Sequence, residues 1–154
     1  MTSRITGLRG LHGMRDGVLE RLDDTDLTFA PGGDNVSLGR MLHDLVALER
    51  SYAESLRDRV QRWPASEPAD SASLTLTELG ERFAALDDEI ESAFTAASAA
   101  DAQAPVTRPD GTVRTPDQQI EIYTQAMFIF LGKAVVYLHA LGRTLPPSVA
   151  HYIG

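Results

Sequence analysis

The stretch 115–142, TPDQQIEIYTQAMFIFLGKAVVYLHALG, decides the fold. Thr115 followed by Pro116 and, three residues on, by Gln118 is a capping box with proline at the first helical position, a strong signature of a helix start. Behind it Ile120, Tyr123, Met127, Phe130, Ala134, Leu138 and Leu141 recur three or four residues apart, the spacing of one helical face. Gly142, with Pro146 and Pro147 beyond it, stops the helix. The apolar-rich part, 123–141, is interrupted by Thr124, Gln125, Gly132, Lys133 and His139, so it reads as a buried core helix and not as a membrane span.

Working outward, three more segments carry the same period. One runs from the N-cap Ser37 through Leu38, Leu42, Leu45, Leu48, Tyr52 and Leu56 to Trp63-Pro64. Another follows Thr77 with Leu79, Phe83, Leu86, Ile90 and Phe94, fading into the alanine-rich residues 96–104. The first segment has Leu8, Leu11, Val18 and Leu22, but Gly7, Gly10, Gly13 and Gly17 weaken it from inside, and it closes into the Asp23-Asp24-Thr25-Asp26 run. Residues 29–35, containing Pro31-Gly32-Gly33, and residues 63–73 read as connections. Between 106 and 114, Thr107-Arg108 and Thr112-Val113 flank Pro109-Asp110-Gly111, a turn able to close a short hairpin. The prediction is an all-α four-helix bundle, one domain over 1–154, with a short β-hairpin before the last helix. The order of the helices around the bundle does not follow from the pattern.

Composition narrows the function. A chain of 154 residues with 43% hydrophobic and 23% charged residues can bury a single core. With 22 acidic against 14 basic residues the net charge is −8, which repels phosphate and disfavours nucleic acid and anionic membranes. The absence of cysteine removes disulfides, thiolate nucleophiles and sulfur-ligated metals. The first 17 residues carry Arg4, Arg9 and Arg15 but no continuous apolar run, so no signal peptide is readable and a cytoplasmic location is expected.

Four histidines are present: His12, His43, His139 and His151. No two stand four apart, the spacing that would put two imidazoles one turn apart on one helix face. At about 100° per residue His43 and His139 fall behind their apolar stripes and are expected in solvent. His12 has Asp16 at i+4 as its natural partner. Glu49 falls on the buried side of the second helix, seven residues after Leu42, and must find a partner, an Arg or a Tyr. Asp87, Asp88, Glu89 and Glu91 read as a solvated face, and Asp23, Asp24 and Asp26 lack calcium-loop spacing. Tyr123, Met127, Phe128 and Phe130 read as core that could also line a small apolar pocket.

Two stretches carry a resemblance. Leu27-Thr28-Phe29-Ala30-Pro31-Gly32-Gly33, then Ser37-Leu38-Gly39 and 43–52, HDLVALERSY, resemble the first half of DinB-like (YfiT-like) proteins. The Asp110-Gly111 loop and the helix ending Val136-Tyr137-Leu138-His139-Ala140-Leu141-Gly142, with Leu145-Pro146-Pro147 after it, resemble their last part. The resemblance implies a bundle of four helices, frequently dimeric, in which some members bind a divalent metal through three histidines and act as hydrolases or thiol transferases. Carried over by register, those three positions fall on Asp44, five residues before Glu49, and on Ala126 and Phe130. His43 is one residue off. A carboxylate opposite an alanine and a phenylalanine does not complete a three-ligand site.

The expectation is therefore a DinB-like protein with no metal and no cofactor, binding a small molecule in a residual inter-helix pocket formed by Asp44, Glu49, Tyr123, Ala126, Met127 and Phe130. The alternatives are a metal-independent transferase or hydrolase using Asp44 or Glu49 as acid or base, and a homodimeric interaction scaffold. The balance leans away from catalysis.

Overall fold

A computed structural model describes residues 2–63, 74–100 and 105–153. In chain order these form α1 (Thr2–Leu19), a short 3-10 helix (Asp24–Thr28), α2 (Leu38–Asp58), α3 (Leu76–Ala100), β1 (Val106–Thr107), β2 (Val113–Arg114), α4 (Pro116–Ala140) and α5 (Pro147–Tyr152). The all-α bundle with a hairpin before the last long helix is the architecture expected from the sequence. The expected connection over 64–73 and the residues at 101–104 lie outside the described residues.

Local chemistry explains the element ends. Ser37 and Thr115 each accept a hydrogen bond from a backbone N–H three residues on, and at Thr115 the Gln118 side chain returns the bond, completing the capping box. α3 starts one residue before Thr77, because Thr75 and Glu78 form the reciprocal pair instead. α1 continues through all four of its glycines. Its covered stripe of Leu8, Leu11 and Val18 holds the helix where local propensity is poor.

Three details differ from the sequence reading. α2 ends at Asp58 and not at Trp63, since Arg59 takes a left-handed conformation (φ 62°) and the chain leaves the helix. Val60 then bridges Thr107 in parallel, so the hairpin strand captures what would have been the last helical turn. The strands lie one residue further out than Thr107-Arg108 and Thr112-Val113, at Val106–Thr107 and Val113–Arg114, around the expected turn, where Gly111 stands at φ 78° and the Asp110 carboxylate accepts from the N–H and hydroxyl of Thr112. The 3-10 helix and α5 had no periodic signal long enough to reveal them.

α1 and α2 each pack against both α3 and α4, so they occupy opposite corners and the order around the bundle is α1, α4, α2, α3. The core contains Leu42, Leu56, Phe83, Ile90, Phe94, Tyr123 and Met127, all essentially without solvent access. α4 is long and apolar enough to cross a membrane by length and composition, and here it is a core helix packed on its neighbours.

Candidate functional site

At the centre of the bundle each long helix contributes to one buried polar cluster. Arg15 of α1 and Glu49 of α2 are both 0% exposed. The Arg15 guanidinium reaches across the diagonal, donating from Nη1 to both Glu49 oxygens at 3.1 and 3.0 Å and to Asp87 Oδ1 of α3 at 2.9 Å. Its Nη2 donates to Asp87 Oδ2 and to Asp16, each at 2.8 Å, and the guanidinium carbon stands 4.3 Å from the centre of the Phe83 ring. His12 extends the cluster, with Nδ1 2.9 Å from Asp87 and Nε2 2.8 Å from the Tyr123 hydroxyl of α4.

This arrangement neutralises groups that could not otherwise leave water. Burial pushes the Glu49 carboxyl up to about 7, against the pull of Arg15 and His12. Asp87, despite burial, is held below the usual carboxylate range by hydrogen bonds from His12 and Arg15. Burial and the Glu49 carboxylate together push the Tyr123 hydroxyl well above its ordinary value. The Glu49–arginine pairing is the partner the sequence demanded. Two expectations are corrected. His12 bonds Asp87 and Tyr123 and not Asp16, because Arg15 takes Asp16. Asp87 leaves the solvated acidic face of α3 to serve this cluster, whereas Asp88 and Glu89 stay exposed. Arg15 was the residue missed. It stands four after Leu11 and three before Val18, squarely on the apolar stripe of α1, and that placement was its signal.

A second feature opens on the surface between α2 and α4. It is a cleft of about 600 Å³, within the size range of small-molecule sites. α2 supplies Met41, Asp44, Leu45 and Leu48. From α4 come Ala126, Ile129, Phe130, Lys133, Val136 and Tyr137, and the turn before α2 adds Asp34, Asn35 and Val36. The Tyr137 hydroxyl donates to the Val36 carbonyl at 2.7 Å and ties that turn to α4. Asp44 is half exposed and accepts from Arg40 Nε at 2.7 Å.

Of the six residues expected to share a pocket, Asp44, Ala126 and Phe130 line this cleft. Glu49, Tyr123 and Met127 do not, because they lie deeper, the first two in the polar cluster and the third in the apolar core. Phe128, grouped with the core in the sequence reading, is 42% exposed. It lines a separate groove of about 590 Å³ between α1 and α4, with Gly7, Leu11 and Tyr152. His43 is 5% exposed, contrary to expectation. The covered face of α2 is wider than its leucine stripe: Leu38, Gly39, Met41, Leu42, His43, Leu45 and Val46 are all buried, and the 3-10 helix packs on this part. His139 is exposed, as its register predicted.

The metal chemistry implied by the family resemblance does not fit these residues. Ala126 and Phe130 offer no donor atom, and Asp44 is engaged with Arg40. Among the described residues no group of three or more His, Cys, Asp or Glu is placed to hold a metal ion.

A helical bundle with α1 and α2 at opposite corners, a hairpin before α4 and an open cleft between α2 and α4 defines a class of fold. A family model for the DinB superfamily matches residues 12–125, and the chain belongs to that superfamily. Among solved structures it is similar to a DinB-like protein, YjoA, of Bacillus subtilis, with a TM-score of 0.71 over 94% of this chain and 96% of that one at 10% identity. That likeness is one of fold. No curated protein sequence matches the chain.

Proposed function

We propose that this DinB-superfamily protein binds a small amphipathic molecule in the cleft between α2 and α4. The observation that carries the reading is the cleft itself: mostly apolar walls, a few charged side chains, and helix-borne residues that fix their geometry. Ala126 is the smallest side chain along its α4 wall and leaves room for a ligand. The neutral fluorophore N-phenyl-1-naphthylamine tests the idea. Saturable emission enhancement is expected for the native chain and its loss for Ala126→Trp, whose indole fills the cleft. Equal binding by both, or a clear stabilisation by nickel or zinc, would overturn the proposal.

A second reading rests on the exposure of the cleft's own α4 wall. The solvent side of α4 exposes Ile129 and Val136, at 63% and 57% respectively, at the edge of the same cleft, an apolar area open to a partner. A second copy of the chain would cover it and give a homodimer. Glu49 supports neither reading as an acid or base, since it is enclosed and held by Arg15.

A further inference from the structure

Lys133 is the only lysine in a chain whose other basic side chains, apart from histidine, are all arginine. It stands on α4 in the wall of the α2–α4 cleft, one turn from Ile129 and Phe130. Among the described residues Lys133 makes no hydrogen bond or ion pair, while the other charged groups of the cleft differ in kind. Asp44, on the facing helix, is already neutralised by Arg40 at 2.7 Å. Asp34 also lines the cleft, on the exposed turn that carries Gly32 and Gly33; like Lys133 it is exposed and screened by water, and no ion pair joins the two. The cleft therefore presents one cation without an ion-pair partner, on a rigid helix, beside an apolar wall.

Resting on the reading of the cleft as a small-molecule site, we propose that its ligand is an anionic amphipath. A carboxylate or sulfonate accepts from the Lys133 ammonium, and an apolar body lies against Leu45, Leu48 and Phe130. Lys133 is exposed, so water weakens this charge-assisted hydrogen bond and the apolar contact with Leu45, Leu48 and Phe130 supplies the rest of the affinity. The protein's overall charge of −8 opposes every anion that approaches. Selectivity for this class must therefore be made locally, at Lys133.

The test compares the anionic probe 8-anilinonaphthalene-1-sulfonate with neutral N-phenyl-1-naphthylamine, counting only signal that Ala126→Trp abolishes so that the α1–α4 groove is excluded. The quantity read is the ratio of the two dissociation constants, with folding of each variant checked by thermal melting. Lys133→Gln is expected to shift that ratio about tenfold against the sulfonate, and Lys133→Arg to restore most of it. A ratio unmoved by Lys133→Gln, or a native protein that binds only the neutral probe in the cleft, overturns the anionic assignment and leaves the cleft standing. Failure of both probes to bind there removes the cleft reading and this inference with it.

Discussion

At the scale of single residues the central cluster has a pH signature. In the unfolded chain Glu49 titrates near 4.5, whereas burial raises it to about 7 in the fold. The folded state thus holds that proton more tightly, so the contribution of Glu49 is fully present below about pH 4.5 and is lost as pH rises through 7. Asp87 runs the other way. Its folded value lies below the ordinary 3.8, so its contribution is present above that value and is lost on acidification. The joint contribution of these two groups is therefore greatest between about pH 4 and 5. Urea titrations across this range should show it declining toward pH 7 in the native chain, and Glu49→Gln should flatten the decline. An unchanged slope in the variant would assign the pH dependence elsewhere. The demand for a partner at Glu49 was readable in the sequence, because a carboxylate on a leucine stripe cannot stay alone. That Arg15 answers it was not, since the two meet only when opposite corners of the bundle close.

Among the elements, glycines with the same helical setting have opposite consequences. Gly13 in α1 is exposed, and a Cβ added there would meet nothing within 4 Å. Gly39 in α2 lies under the 3-10 helix, where a Cβ would stand 3.0 Å from the Leu27 carbonyl oxygen and 3.3 Å from Leu27 Cβ. Gly13→Ala should stabilise the protein by about 0.5–1 kcal/mol, the conformational entropy glycine otherwise loses. Gly39→Ala should cost about 1–3 kcal/mol, because a backbone carbonyl has to give way. Denaturant midpoints of the two variants, moving in opposite directions, check the pair. The starts of α2 and α4 were legible from Ser37 and from Thr115-Pro116-Asp117-Gln118, since capping is a local interaction. The end of α2 was not. The Val60–Thr107 bridge and the buried Gln61, whose side chain donates to Ser51 at 2.9 Å, belong to pairings made across the fold.

For the whole molecule the open question is what covers the face of α4 that carries Ile129 and Val136. If a second copy covers it, sedimentation velocity should show a dimer in the native chain and a monomer in Ile129→Glu. A monomer at all concentrations in the native chain would remove the homodimer and leave that face to the ligand. Ile129 also lines the cleft, so the variant places a charge in the cleft wall itself. It should be read together with probe binding.

Four periodic apolar stripes, two strong caps and a Pro-Asp-Gly turn were sufficient to determine an all-α bundle with a hairpin, because each of these signals acts within a few residues of itself. The resemblance in residues 27–52 and 136–147 pointed to the superfamily to which the chain belongs. It also brought Asp44, Ala126 and Phe130 into one register, and the structure places all three on one cleft. Only the tertiary structure decided that Glu49 and Tyr123 turn inward to a charge cluster, that His43 is covered, and that Lys133 stands without a counter-ion at the cleft. Helical period specifies the face on which a residue lies. Which helix that face meets depends on the order α1, α4, α2, α3 around the bundle, and that order is set by packing between segments far apart in the chain.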